Sequence, residues 1–253
     1  MLILLSPSKT MDLSQSAIPS VFSQPELLDR AEQLVHLMKK KSARQLATLL
    51  KINPQLAQLN FERYQQWSLP FTHRHAGQAV YTFKGEVFNG LDMDSLTEDD
   101  ALYAQDHLRI FSGLYGILKP LDLILPYRLD IADPITVNGK NLYQFWKKAI
   151  SENLEHQLSQ SKTPTLINLA SNEYFKSVDL KKIRAQVITP VFKESKGNSY
   201  KIVTMYAKKA RGMMTRFILQ NRLQSPDEIK LFDKEGYYFN EKLSSEQEVV
   251  FTR

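Results

Sequence analysis

The sequence predicts a mixed α/β fold in which helices flank a central sheet. Two observations carry this prediction. The all-apolar run at residues 2–5 and the mostly apolar run at 165–170 are typical of strands buried on both faces, whereas the segment from residue 25 to about 67 keeps the period of amphipathic helices. With 253 residues, of which 43% are apolar, the chain can bury a substantial core as one large domain or as two smaller ones.

The first half of the chain is predicted to begin with a strand and to continue mainly with helices. Proline at 25 and 54 and serine at 42 are favoured first-turn or capping residues. An apolar stripe that includes Leu108 supports a later helix, which Gly113 ends. The predicted elements are a strand over 2–5, helices from 25, 42 and 54, a strand over 79–83, and a helix from 95 or 97 to about 112.

The second half is predicted to pair strands before a long helix. Residues 200–206 alternate in the manner of a strand, with Ile202, Thr204 and Tyr206 on one side. From about Ala207 the apolar positions follow a helical period up to Ile218. The predicted elements are a strand over 165–170, a hairpin of 186–193 with 200–206, a helix from 207, and an edge strand over 249–252.

Cations cover the other face of this predicted helix. No acidic residue lies between Lys196 and Arg222, so Glu–Lys pairs one turn apart do not account for them. We therefore expect these cations to be unpaired, accessible and suited to an anion, although a solvated lysine face without a ligand is the alternative. The face includes Lys208, Lys209, Arg211 and Arg216.

Positive charge is concentrated in one part of the sequence. The chain has 33 basic and 27 acidic residues, but residues 176–222 hold 12 basic and 2 acidic ones. Such asymmetry fits a nucleic acid, an anionic membrane surface or a phosphorylated ligand.

The composition excludes several kinds of site and of protein. The absence of cysteine excludes disulfides and thiolate metal sites, and the 5 histidines are scattered, so we predict neither a metal site nor a cofactor. No apolar run approaches 18 residues, and no basic segment precedes the short N-terminal run. We therefore expect a cytoplasmic protein without a membrane anchor.

Polar side chains follow both buried strands. Residues 6–9 (SPSK) come directly after the first strand, and Asn168, Ser171 and Glu173 lie at the exit of the strand at 165. Lys84 precedes a glycine, which permits close approach of a ligand to the backbone. Groups that donate, accept or transfer protons at the carboxyl ends of strands fit an anion or nucleotide crevice. An ordinary strand exit, with Ser171 as a helix cap, is the alternative.

The segment GLYGILKP at residues 113–120 forms a tight turn between apolar segments. A helix-hairpin-helix element holds a DNA phosphate on the backbone amides of such a glycine turn. Gly113 and Gly116 fit this role loosely, because their spacing is one residue longer than usual and Pro120 limits a second helix. A plain helix C-cap is the alternative.

Six segments together resemble the bacterial YaaA family: LSPSKT, FKGEVFNGL, LRIFSGLYGILKPLDLILPYRLD, LYQFW, INLASNEYFKSV and YAKKARGMMTRFI. The resemblance covers essentially the whole chain. It implies one domain over residues 1–253, with a cantaloupe-like mixed α/β fold of its own and a positively charged cleft. It also implies a peroxide-stress role, a link to low intracellular iron, and binding of duplex and branched DNA through a helix-hairpin-helix-like element. Where members carry YRLEMG, this chain has YRLDIA from Tyr127, so the reach of the longer glutamate is not carried over to Asp130.

Two functional hypotheses follow. In the first, the protein is a monomer without enzymatic activity that binds DNA phosphates with weak sequence specificity. Its predicted phosphate ligands are Lys9, Lys84, Gly113, Gly116, Lys119, Arg128, Lys176, Lys208, Lys209, Arg211 and Arg216. In the second, it is an uncharacterised enzyme with a small anionic or nucleotide-like substrate, and Ser171 or Glu173 is the nucleophile or general base. The substrate would then be held by Lys9, Lys84, Arg128, Lys208 and Lys209.

Overall fold

Five parallel strands from distant parts of the sequence form the centre of this computed structural model, which describes residues 1–14, 21–161, 164–197 and 199–253. The strands are β1 (Leu2–Leu5), β2 (Thr10–Met11), β3 (Gly77–Gln78), β4 (Phe83–Lys84), β5 (Leu108–Ser112), β6 (Gly116–Leu118), β7 (Leu123–Ile124), β8 (Thr136–Val137), β9 (Lys140–Asn141), β10 (Thr165–Asn168), β11 (Gln186–Lys196), β12 (Ser199–Lys201), β13 (Tyr238–Phe239) and β14 (Glu248–Thr252). The helices are α1 (Leu28–Lys39), α2 (Ala43–Leu50), α3 (Pro54–Gln66), α4 (Ala79–Thr82), α5 (Glu86–Leu91), α6 (Glu98–His107), α7 (Leu142–Leu158), α8 (Asn172–Phe175) and α9 (Thr204–Gln220). Short 3₁₀ turns lie at Met93–Ser95, Leu180–Lys182, Pro226–Leu231, Lys234–Gly236 and Glu241–Leu243.

The central sheet is mixed, as the sequence predicts. Its strand order is β13-β14-β11-β10-β1-β5-β6, and β12 pairs with β11. The strands from β14 to β5 run parallel, whereas β13, β12 and β6 are antiparallel to their neighbours. The predicted mixed α/β fold with a central sheet is therefore confirmed.

The buried runs at residues 2–5 and 165–168 are neighbouring strands of this sheet. Every residue of β1 and β10 is buried, and their register places Leu4 opposite Asn168. Continuous apolar sequence is typical of parallel strands because both of their faces are covered. Parallel pairing also brings the two carboxyl ends to the same edge, where Ser6 and Leu169 leave the sheet.

The helices α5 and α9 are in backbone contact, and α9 also packs on the sheet. A Cβ atom added at Gly212 would lie 1.9 Å from the Val87 carbonyl oxygen, and one added at Gly90 would lie 2.1 Å from the Lys209 carbonyl oxygen. Only glycine fits these two positions. The close approach fixes the amino-terminal half of α9 against α5.

Several predicted helices are confirmed with small shifts. Ser42 caps α2 in a capping box with Gln45, and α3 begins at Pro54. Thr97 caps α6. The helix predicted from Pro25 begins three residues later, at the start of α1.

Four predicted element types or boundaries are wrong. The helix predicted up to residue 112 ends at His107, because Leu108–Ser112 pairs with β1 as the fully buried strand β5. Residues 79–82 form a short buried helix between two-residue strands. The strand predicted over 200–206 ends at Lys201, and α9 begins at Thr204. Finally, β14 is not an edge strand, since it lies between β11 and β13.

Candidate functional site

A cavity of about 440 Å³ opens at the carboxyl ends of β1 and β10. The strand order reverses at β1, because the chain adds β5 on one side of it and β10 on the other. Ligands of open α/β sheets bind in the crevice at such a reversal. We name this cavity the sheet-end pocket; it is lined by residues 6–9, 85–88 and 127–130, by Ser171, Glu173 and Tyr174, and by Lys208 and Arg211.

Two serines join the exits of the neighbouring strands. Ser6 Oγ accepts a hydrogen bond from the Ser171 backbone N–H at 2.8 Å and donates to Ser171 Oγ at 3.2 Å. Ser171 Oγ also accepts from the Tyr174 backbone N–H at 3.4 Å, so this residue caps α8. Across the described ranges, no histidine or carboxylate is hydrogen-bonded to Ser171. The hydroxyl therefore lacks the neighbouring base that activates a serine nucleophile.

Asp130 and Glu173 are an acidic pair in the pocket. Lys9 Nζ lies 3.2 Å from Asp130 Oδ2. Partial desolvation, followed by the adjacent Asp130 carboxylate, raises the pKa of Glu173, although its side chain remains exposed. A carboxyl group with a raised pKa can both give and take a proton closer to neutral pH, which is typical of a general acid or base.

Lys208 and Arg211 lie on one face of α9, about one turn apart, and both line the pocket. In the part of the chain that the structure describes, neither side chain forms an ion pair. Burial lowers the pKa of the Arg211 guanidinium. A partly desolvated guanidinium without a counterion favours an anionic ligand. With Arg128 and Lys9, these residues are the predicted phosphate ligands that the pocket brings together.

Three other predicted phosphate ligands lie outside the pocket and contact carboxylates. Their contacts are Lys209 with Glu235 at 2.5 Å, Arg216 with Asp92 at 3.3 Å, and Lys119 with Glu26 at 2.5 Å. The expectation of unpaired cations is therefore wrong for Lys209 and Arg216. Their acidic partners come from segments distant in sequence, which a search along the helix does not detect.

Lys84 and Lys176 flank the pocket. Lys84 pairs with Thr10 in the small β2–β4 sheet, directly before the pocket residue Gly85. Lys176 directly follows α8, two residues after Tyr174. Neither lysine belongs to the pocket lining among the described residues.

The turn between Gly113 and Gly116 is a β-hairpin turn inside the core. It follows β5 and precedes β6, and its two central residues have no exposed surface. Trp146 covers it, because its Nε1 donates a hydrogen bond to the Gly113 carbonyl oxygen at 3.0 Å. A Cβ atom at Gly116 would lie 2.6 Å from the same indole ring. The helix-hairpin-helix interpretation and the helix C-cap are both wrong, since a strand precedes this turn and the core encloses it.

Asp130 is a pocket residue that the predicted site omits. Leu129 and Ile131 are buried, while Arg128 and Asp130 are partly exposed, so the two charged side chains lie on the same side of the segment. The alternation in YRLDI was a sequence signal for this arrangement. The pocket tyrosines, Tyr127 and Tyr174, were missed because burial, which raises the pKa of each, is not visible in sequence.

Two features are absent from residues 1–14, 21–161, 164–197 and 199–253. No helix there combines the length and the apolar character needed to cross a bilayer. No group of three or more histidine, cysteine or acidic side chains there could hold a metal ion.

Comparisons with known proteins agree with the sequence resemblance. A family model described as "Peroxide stress protein YaaA" matches residues 1–243, which include every segment of the sheet-end pocket. A UPF0246 protein from Hahella chejuensis (strain KCTC 2396) is 48% identical over 254 residues, covering 100% of this chain and 99% of that protein. The resemblance is therefore confirmed, and the chain belongs to the YaaA family of peroxide stress proteins.

Proposed function

We propose that this protein acts in peroxide stress by binding DNA phosphates at the mouth of the sheet-end pocket, which serves as a positively charged cleft. The observation that supports this is the convergence of Arg128, Lys208 and Arg211 on one opening. Among the described residues, none of the three forms an ion pair. Lys9 adds a fourth cation, whose side chain is 63% exposed although it contacts Asp130.

Binding of this kind is electrostatic. About four phosphate contacts give a log–log slope of affinity against salt near −3.6 for duplex DNA, because each contact releases condensed counterions. Phosphate contacts carry no base information, so sequence specificity is weak. Exposed ion pairs such as Lys209–Glu235 are worth about 0–1 kcal/mol. DNA can therefore displace Glu235 and recruit Lys209 as a further contact.

Charge reversal at Lys208 and charge removal at Arg211 test this proposal. We expect Lys208→Glu and Arg211→Gln each to weaken duplex binding about tenfold at every sequence and to reduce the salt slope by about one. Fluorescence anisotropy over a salt series measures both quantities. Lys148→Glu is the matched control, because Lys148 is 71% exposed on α7 and does not line the pocket. Unchanged affinity in both pocket variants contradicts the proposal.

DNA binding connects the site to peroxide stress. Iron and peroxide generate hydroxyl radicals that damage DNA, and a bound protein limits this damage by shielding DNA or by assisting repair in the cytoplasm. Cells carrying Lys208→Glu should accumulate more DNA breaks under peroxide than cells carrying Lys148→Glu, at equal protein levels. Equal breakage in the two strains counts against a protective role of DNA binding.

The Asp130–Glu173 pair favours an enzyme as a second candidate function. The raised pKa of Glu173 makes this residue suited to proton transfer. Ser171, in contrast, is the N-cap of α8. If the pocket is catalytic, Glu173→Gln abolishes peroxide protection while folding and duplex affinity remain intact. Ser171→Ala would do the same only if this hydroxyl were the nucleophile. Full protection in the Glu173→Gln strain excludes general acid or base catalysis by this residue.

A further inference from the structure

Both signs of charge line the sheet-end pocket: its acids are Glu86, Asp130 and Glu173, and its cations are Lys9, Arg128, Lys208 and Arg211. Asp130 and Glu173 lie together near Lys9, whereas Lys208 and Arg211 project from α9. In the described chain, no ion pair joins the acids to the α9 cations, and burial is the cause that lowers the pKa of Arg211. A ligand that satisfies both groups must be anionic at one end and must donate hydrogen bonds at the other.

A nucleotide has this distribution of groups. Arginine and lysine bind phosphate, and a guanidinium can do so through two parallel hydrogen bonds. Carboxylates accept hydrogen bonds from ribose hydroxyls and from the exocyclic amines of bases. The hydroxyl group of Ser8 lies along the same wall and can donate a hydrogen bond.

The size of the pocket limits what can enter. Its volume of about 440 Å³ lies within the range of about 300–1,000 Å³ of small-molecule sites. A duplex can lie across the mouth but cannot enter. A volume of this size suits a single nucleotide unit, as in enzymes that extrude a nucleotide from the stack.

We propose that the sheet-end pocket binds a single nucleotide, with its phosphate at Lys208 and Arg211 and its sugar or base donors at Asp130 and Glu173. This inference rests on the proposed phosphate-binding role of the two α9 residues. The unit can come from a free mononucleotide or from a nucleotide extruded from a DNA strand. Both sources present a phosphate anion and the hydrogen-bond donors of a base to the pocket.

Calorimetric titration with AMP, adenosine and inorganic phosphate tests the pocket directly. We expect AMP to bind at least tenfold more tightly than either of its parts. Arg211→Gln should weaken binding of AMP and phosphate, whereas Asp130→Asn should weaken AMP about tenfold without weakening phosphate. Glu235→Gln is the control, because Glu235 contacts Lys209 outside the pocket, and it should leave AMP affinity unchanged.

Anisotropy with a perfect duplex and with a duplex carrying one bulged nucleotide distinguishes the sources. A preference for the bulged duplex that Asp130→Asn removes supports extrusion, and AMP binding without such a preference supports a free mononucleotide. If AMP does not bind and the two duplexes bind equally, the inference is overturned. It is also overturned if AMP and phosphate bind equally tightly. Perfect-duplex binding that depends on Lys208 would survive either result, so the two proposals fail separately.

Discussion

Lys209 Nζ lies 2.5 Å from Glu235 Oε1, and the second oxygen of the same carboxylate lies 3.4 Å from Arg253 Nη1. Glu235 thus contacts two cations at once. The hydrogen bond from Lys209 is the largest cause of the lowered pKa of Glu235, so the carboxylate stays ionised at neutral pH. Glu235 therefore masks the charge of Lys209, whereas Arg253 is also held by Glu194 at 2.8 Å.

Glu235→Gln should increase DNA affinity, because it frees Lys209 for phosphates, whereas Arg253 stays paired with Glu194 at 2.8 Å. We expect an increase of about three- to tenfold at low salt, with a slope steeper by about one, measured by anisotropy over a salt series. Glu62→Gln on α3 makes the same change in net charge, but Glu62 contacts Gln58 instead of a cation. Equal effects of the two variants would show that only net charge matters.

Gly212→Ala should destabilise the fold although alanine is the better helix former. Alanine favours a helix interior by about 1 kcal/mol over glycine, but its Cβ would lie 1.9 Å from the Val87 carbonyl oxygen. We expect a net loss of about 1–3 kcal/mol in the free energy of unfolding, as in overpacked cores. Urea denaturation measures this change, and a more stable variant would show that α5 and α9 can separate easily.

Asp122 should make stability fall as pH rises. Burial raises its pKa from 3.8 to about 6, although hydrogen bonds from Ser23 and the Lys119 backbone N–H oppose the shift. Between these two values the folded protein holds a proton that the unfolded chain has released, so the stabilising contribution is complete below pH 3.8 and is lost as pH rises through 6. The loss is roughly 3 kcal/mol.

The variant Asp122→Asn removes this titration. Relative to the parent, the variant should therefore be more stable at pH 8 than at pH 4.5. Urea denaturation at both values measures the difference. A difference that does not change with pH would show that Asp122 titrates normally.

Gly116→Ala should destabilise the core without a specific effect on DNA binding. The residue has a φ of 75° and faces Trp146, so strain and overpacking together cost about 2 kcal/mol or more. Gly139→Ala is a close control, because Gly139 has the same φ of 75° but no atom within 4 Å of its added Cβ. If Gly116→Ala weakened DNA binding at unchanged stability, the turn would have to bind phosphate after all.

The local sequence pattern predicts an element correctly where a strand is buried on both faces or where a side chain caps a helix. The apolar run of β1 and the capping residue Ser42 identify their elements correctly, because each depends on neighbours within a few residues. The apolar periodicity gives the wrong element at Leu108, because this residue continues the apolar stripe of α6 but is the first residue of β5. There the pairing with Ile3 of β1, more than 100 residues away, decides the structure.

Some residues of the candidate site are likewise predictable from the local sequence, whereas others depend on contacts distant in the chain. Lys208, Arg211 and Glu173 were identified from residue type and from their position near an element end, and the pocket contains all three. The carboxylates that compensate Lys209 and Arg216 could not be identified, since they lie 26 residues later and 124 residues earlier in the chain. Burial of the Gly113 turn under Trp146 depends on a helix 33 residues away.

The walls of the sheet-end pocket come from stretches that begin at Ser6 and end at Arg211. No fragment shorter than residues 6–211 contains all of them, so occupancy reports on the integrity of most of the folded chain. A ligand at 100 times its Kd adds about 2.7 kcal/mol to global stability. Saturation should therefore delay proteolysis at cleavage sites remote from the bound molecule.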